Sequence, residues 1–129
     1  MTRQEGLEER TLAFSRRVRE FVKLIPRHSI YQEDIKQLVR SSGSVGANYI
    51  EANESFSAKD FLFRVNICRK EAKESRYWLK CMMVDTDVAQ IQIELVQEAL
   101  ELSRIFGKVI QTMRTKKAKR RVPSQIDNR

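Results

Sequence analysis

The residues best suited to bind a ligand lie near the C-terminus, where RTKKAKRR places six bases in eight positions, residues 114–121. Residues 114–129 hold seven Lys/Arg and one acid, a net charge of +6, while the first 113 residues hold 18 bases and 16 acids, a net of only +2. Such a run neutralises phosphates and releases their counterions, which favours salt-sensitive binding to nucleic acid without sequence preference. The alternative is a solvated, disordered terminus that keeps the protein soluble.

Further bases fall on two stretches that are predicted to be helical, so a larger basic surface is expected. Helix one carries Arg16, Arg17, Arg19, Lys23 and Arg27, and helix three carries Arg69, Lys70, Lys73, Arg76 and Lys80. The candidate nucleic-acid-binding residues are Arg114, Lys116, Lys117, Lys119, Arg120, Arg121, Arg16, Arg17, Lys73 and Arg76. On the alternative interpretation, the bases of helices one and three form only their solvent faces.

Groups suited to catalysis or metal binding are sparse. His28 is the single histidine, and Cys68 and Cys81 are separated by ~20 Å on one predicted helix, beyond disulfide reach. Two separated thiols and one histidine cannot supply a structural zinc site, and the four glycines form no phosphate-binding loop. We therefore expect a protein that is not an enzyme, with no catalytic residues, no cofactor and no metal.

The N-terminus and the hydropathy pattern indicate the compartment. MTRQEGLEER is charged and lacks the apolar core of a signal peptide. No apolar run approaches the ~20 residues that span a bilayer. We expect a cytoplasmic protein with no membrane partner.

Apolar residues recur at intervals of three and four along four stretches, which predicts four amphipathic helices at about 8–25, 30–55, 58–83 and 87–114. Short connections between them favour antiparallel neighbours. The expected fold is all-α, an antiparallel up-down-up-down four-helix bundle formed by residues 1–113. Residues 114–129 are expected to form a flexible basic tail.

SSGSVGANYIEANES, residues 41–55, resembles a loop in composition but keeps the helical phase of its neighbours. The apolar stripe continues from Leu38 through Val45 to Tyr49, so we predict unbroken helix. Glycines inside a helix cost ~1 kcal/mol each relative to alanine. A neighbouring backbone that approaches Gly43 and Gly46 closely would offset this cost; the alternative is a kink or short break.

The turn after this segment sets the register between helices two and three. A hairpin that closes at residues 56–57 places Arg40 near Glu74 and Glu51 near Arg64. We expect Asn48 and Glu51 to be at least half buried, because buried polar groups at such a seam fix the register.

Helix four carries a second apolar stripe that includes Ile93, Val96 and Leu100, and helix three adds Phe63 and Tyr77 outside its main stripe. A helix of an isolated bundle needs only one apolar face. The second faces favour a symmetric homo-oligomer, although a larger monomer core is the alternative.

Residues 41–82 resemble the four-helix-bundle proteins encoded in intervening sequences of bacterial 23S rRNA genes. The signature positions that carry the resemblance are Ser44, Gly46, Asn48, Glu51, Lys70, Glu71, Glu74 and Trp78. The resemblance implies a small cytoplasmic bacterial bundle that assembles into a ring-like homopentamer. It also implies a relation to the accessory variability determinant proteins of diversity-generating retroelements, which bind nucleic acid.

Two functions are compatible with these observations. In the first, an oligomer gathers several basic segments and binds nucleic acid, RNA being favoured, by avidity. In the alternative, the bundle is a protein–protein adaptor or assembly module with no nucleic-acid binding.

Overall fold

Four helices make up the chain in the computed structural model, which describes the backbone of residues 2–26 and 29–127 and the side chains as far as residue 119. His28 lies outside the described residues. The helices are α1 (Arg3–Val22), α2 (Gln32–Asn53), α3 (Ala58–Cys81) and α4 (Thr86–Asp127). The described ranges contain no β-strand. The predicted all-α class is confirmed.

Each helix packs against two others: α2 contacts α1 and α3, and α4 contacts α3 and α1. Within the part of the chain that the structure covers, α1 and α3 do not contact each other and therefore lie diagonally across the bundle. The core extends along chain positions 7–110, from Leu7 to Ile110. Its largest fully buried side chains include Phe14, Phe21 and Phe106.

The helix boundaries differ from the predicted ones at both ends of the chain. α1 begins five residues earlier because Thr2 and Glu5 form a capping box, in which the Glu5 amide donates to the Thr2 hydroxyl at 3.1 Å. α4 does not end near residue 114 but continues to Asp127. No glycine follows Gly107, and lysine, arginine and alanine are good helix formers, so the chain has little reason to stop before Pro123. Pro123 has no backbone N–H and so removes one hydrogen bond from the helix.

The length of α4 carries it beyond the rest of the bundle. Its 42 residues span ~63 Å, whereas the 24 residues of α3 span ~36 Å. Among the side chains that the structure describes, as far as residue 119, Ile110 is the last that is deeply buried. Residues 111–127, the α4 extension, continue α4 as helix. The flexibility expected of residues 114–129 stays a prediction.

The glycine-rich segment of α2 is helix throughout, as predicted. Gly46 lies against α1: a Cβ added there would come within 2.9 Å of the Thr11 hydroxyl oxygen and 3.2 Å of the Thr11 Cβ. Thr11 is fully buried and its hydroxyl donates to the Leu7 carbonyl at 2.9 Å, so it has little room to move. The close approach of α1 explains why a glycine is used here.

Gly46→Ala and Gly43→Ala are expected to change stability in opposite directions. Alanine at position 46 must displace Thr11, at a cost of about 1–3 kcal/mol that exceeds its gain in helix propensity. Alanine at position 43 meets only ordinary contacts, at 3.5 Å from Arg19 and 3.7 Å from Ser15, and should gain up to about 1 kcal/mol. Urea unfolding of both variants measures the difference; equal effects at the two positions would contradict the close approach.

Three of the hydrogen bonds between α2 and α3 show the register of the two helices. Arg40 donates to Glu74 at 2.7 Å, Ser75 donates to Ser41 at 2.9 Å, and Arg64 donates to Asn48 at 3.1 Å. Residue numbers thus rise along α2 as they fall along α3. The predicted proximity of Arg40 and Glu74 is confirmed.

The prediction that Asn48 is at least half buried is confirmed, and Glu51 is the more exposed of the two residues. Asn48 is partly buried and accepts from Arg64, whereas Glu51 is exposed. At ~100° per residue, Glu51 lies about 120° around the helix from the buried Val45, and Asn48 only about 60°. Asn48 therefore borders the α3 contact and Glu51 faces solvent.

Candidate nucleic-acid interface

The α4 extension presents its bases to solvent on a helix. Its four described bases, Arg114, Lys116, Lys117 and Lys119, are all exposed. The side chains of Arg120 and Arg121 lie outside the described residues. No acid lies between Glu101 and Asp127 in the sequence, so this stretch has no carboxylate of its own to neutralise the bases. The arrangement is a rod of positive charge suited to contact phosphates.

A groove joins the base of this rod to α3. Its volume is about 470 Å³, and it is lined by Arg69, Gly107, Ile110, Gln111, Arg114, Thr115 and Ala118. Gly107 leaves room for the Arg69 guanidinium, whose Nε would lie 3.5 Å from a Cβ at this position. The structure thus brings Arg69 of α3 to the same groove as Arg114 of α4.

Positive charge continues from Arg69 along α3. Arg69, Lys73, Arg76 and Lys80 follow a 4-3-4 spacing, which puts them on one helix face; we name them the α3 basic stripe. None of the four forms an ion pair with any carboxylate in the described part of the chain. Arg69, Lys73 and Lys80 are exposed, and Arg76 is partly buried. These charges remain available to a ligand.

The far end of the stripe surrounds an aromatic side chain. Lys73, Arg76, Tyr77, Lys80 and Cys81 line a depression of about 310 Å³. Tyr77 is 61% exposed. The Tyr77 phenol is neutral at physiological pH, as tyrosines ordinarily are, and a hydrogen bond with the Cys81 thiol raises its pKa further. The depression combines three cations with one neutral ring.

A polar network holds this region of α3 against α2. Arg40 donates to Glu71 at 3.0 Å and to Glu74 at 2.7 Å. The Trp78 indole donates to Glu74 at 3.3 Å, and its ring meets Tyr77 edge-on at a centroid distance of 5.0 Å. Partial burial acts to raise the pKa of Glu74, but the hydrogen bonds from Arg40 and Trp78 and the positive charges of Arg40 and Lys70 together outweigh it and leave that pKa lowered. The signature residues Glu71, Glu74 and Trp78 are thus structural.

Among the other signature residues, Ser44, Gly46, Asn48 and Lys70 also have structural contacts. The Asn48 side chain donates to the carbonyl and hydroxyl oxygens of Ser44, both at 2.9 Å, while accepting from Arg64. Lys70 is exposed, and its charge helps to lower the pKa of Glu74. Together with the Gly46 contact to α1, these interactions stabilise the packing of α2.

The arginines of α1 are not part of the same surface. Arg16 is exposed, and Arg17 lies 3.9 Å from Glu94 of α4. Arg10 is more firmly paired, since it donates to both carboxylate oxygens of Glu98 at 2.8 and 2.7 Å. Because α1 lies diagonally opposite α3, Arg16 and Arg17 are separated from Lys73 and Arg76, with which the sequence had grouped them.

Tyr77 is the one residue of this surface that sequence reasoning assigned only to assembly. Its spacing of four residues from Lys73 and three from Lys80 puts it on the face of the basic stripe, and this signal was readable. The exposure of Tyr77 could not be predicted from the sequence, because position 77 also fits an apolar helix face. Only the packing of Trp78 against the core shows which of the two rings turns outward.

Groups with catalytic potential are not assembled in the described residues. No three His, Cys, Asp or Glu side chains of the covered ranges lie close enough together to hold a metal ion. Burial raises the pKa of the Cys68 thiol to about 12, so it is protonated and a poor nucleophile. No helix over the described stretches is long and apolar enough to cross a bilayer.

The comparisons with known proteins agree with this architecture. The family model of the 23S rRNA-intervening sequence protein matches residues 7–112. No curated protein matches the sequence. A similar solved structure, with a TM-score of 0.68 and 25% identity, covers 80% of this chain and 96% of its own. It is a protein of unknown function from the S23 ribosomal protein family of Bacteroides thetaiotaomicron, solved at 1.70 Å. The match from Leu7 to Thr112 spans all four helices, and the chain belongs to the 23S rRNA-intervening sequence protein family.

Proposed function

We propose that this protein is a non-catalytic nucleic-acid-binding protein, with RNA as the favoured ligand, that acts in the cytoplasm. The observation that carries the proposal is the continuity of unpaired positive charge from the α3 basic stripe through the Arg69 groove to the α4 extension. Arg10 and Arg40, by contrast, are neutralised by carboxylates. A continuous surface of free cations matches the charge of a phosphate backbone.

The ligand class follows from the chemistry of this surface. Lysines and arginines without paired acids give affinity for phosphates but little sequence preference. The family name connects these proteins with 23S rRNA genes, which makes a structured RNA the first ligand to test.

The proposal includes assembly of antiparallel up-down-up-down bundles into a ring-like homo-oligomer, with a pentamer expected from the family resemblance. Its support is apolar surface that a monomer leaves in water: Leu12, Ile50, Phe63 and Ile93 are 49–62% exposed. A closed ring would bury such side chains and bring several α4 extensions together, so that weak phosphate contacts add by avidity. The same apolar surface also supports the second candidate function, an adaptor that holds a protein partner.

Charge reversal on the α3 basic stripe tests RNA binding. Lys73→Glu combined with Lys80→Glu should weaken binding to a labelled rRNA hairpin by at least about tenfold at low salt. The slope of log affinity against log salt should flatten by about two, because two phosphate contacts are lost. Fluorescence anisotropy across a salt series measures both quantities.

A matched control separates local contacts from net charge. Lys36→Glu combined with Lys59→Glu makes the same charge change at two exposed positions outside the stripe. This variant should keep the wild-type slope. Equal loss in both double variants would argue against a defined interface, and absence of binding by the wild type at low salt would favour the adaptor function.

A further inference from the structure

We propose that the α3 surface binds single-stranded RNA or DNA in preference to duplex, with Tyr77 as the platform on which an unpaired base stacks. This inference rests on the proposed nucleic-acid binding and specifies its ligand. Tyr77 is the aromatic residue of the depression that Lys73, Arg76 and Lys80 line. Surfaces that bind single strands combine two components, an aromatic ring on which a base stacks and a positively charged groove that contacts the backbone.

The Tyr77 ring is exposed but held in place. One side of it meets Trp78 edge-on, with ring planes at 77°. Trp78 is in turn bonded to Glu74, and Glu74 to Arg40 of α2. A ring fixed by its neighbours loses little conformational entropy when a base stacks on it, which favours binding.

The surrounding cations are positioned for a backbone that passes the ring. Lys73 and Lys80 lie seven residues apart, ~10 Å along the helix, with Tyr77 between them. Arg76 forms no hydrogen bond within the described chain, and its Nε atom is buried without a partner. Its guanidinium is therefore not committed to any protein acceptor.

Duplex nucleic acid cannot use the ring in the same way. Its base faces are stacked on one another, so an aromatic side chain can reach only unpaired bases in loops, bulges and single strands. The cations serve both forms, because both carry phosphates. The predicted contribution of Tyr77 is therefore specific to single strands.

The experiment measures binding of the full-length protein to a 12-nucleotide unstructured RNA and to a 12-base-pair blunt RNA duplex. Tyr77→Leu should weaken single-strand binding about tenfold and leave duplex binding unchanged. Tyr77→Phe should bind the single strand like the wild type, since the π-face is kept. Binding of the single strand should also quench the fluorescence of Trp78, the single tryptophan, and Tyr77→Leu should remove this signal at equal RNA concentration.

Phe56→Leu is the matched control, because Phe56 is a fully exposed aromatic residue in the turn before α3 and lies outside the depression. It should leave single-strand binding unchanged. Equal weakening of single strand and duplex by Tyr77→Leu, or no weakening of either, would overturn the stacking inference. Wild-type binding to duplex alone would overturn it while the proposed function stands, and binding to neither RNA would overturn both.

Discussion

Removal of residues 114–129 should lower the affinity of the protein for a structured RNA at low salt on the order of a hundredfold or more. The deleted segment holds six bases between residues 114 and 121. If each contacts a phosphate, the slope of log affinity against log salt should decrease in magnitude by about 4 on single strands and about 5 on duplex. A salt series with full-length protein and the 1–113 truncation measures this change.

The truncation is informative because the bundle does not depend on the deleted residues. Among the described side chains the buried core ends at Ile110, and those from 114 to 119 are exposed. The truncated protein should therefore keep its helical circular dichroism and its cooperative melting. A residual salt slope should remain, because the α3 basic stripe is still present.

A full-length control keeps the helix while removing its charge. Replacing the six bases of residues 114–121 by glutamine preserves the length of α4 and a good helix-forming composition. This variant should bind as weakly as the truncation. Retention of the wild-type slope in either protein would show that the α4 extension makes no phosphate contact and would confine the interface to α3.

Arg40→Met should destabilise the bundle by about 2 kcal/mol at neutral pH. Methionine matches the arginine stem in length but cannot pair with Glu71, whose side chain is only 9% exposed, and a buried carboxylate then loses its cation. The expected value is below that for a fully buried pair because Arg40 itself is 49% exposed. For a domain of this size the melting temperature should fall by roughly 6–10 °C, measurable by calorimetry.

The effect of Arg40→Met should decrease as the pH falls. Because Arg40 holds the pKa of Glu74 below its ordinary 4.5, the pair stabilises the folded state above that pH. This stabilisation is lost as the pH falls through the lowered pKa, since Glu74 then becomes protonated in both states. The wild type and the variant should therefore converge in stability at acidic pH.

Arg17→Met provides the comparison. Arg17 and Glu94 are 3.9 Å apart and both about half exposed, so their pairing should contribute less than about 0.5 kcal/mol. Similar losses in the two variants would mean that general charge, rather than the buried Glu71, accounts for the effect. A loss in Arg40→Met that stays constant from pH 7 to pH 3 would contradict the role assigned to Glu74.

Much of the candidate site could be predicted from the sequence because its bases are concentrated in a few segments. The run at residues 114–121 is visible without any structure, and the spacing of Lys73 and Arg76 places them on one helix face. The sequence could not show whether Arg16 and Arg17 lie on the same surface as Lys73 and Arg76. That depends on which helices are neighbours, and α1 proves to lie across the bundle from α3.

By itself, the sequence determined the fold class, the continuity of α2 through its glycines and the family signature. Helical periodicity and local composition are properties of neighbouring residues, and they do not depend on contacts between distant parts of the chain. The tertiary structure alone decided which charges are free. Arg10 pairs with Glu98, 88 residues away in the sequence, and Arg40 pairs with Glu71, 31 residues away. Only the packing of the helices therefore shows that these cations are neutralised and that those of the α3 basic stripe have no paired acid.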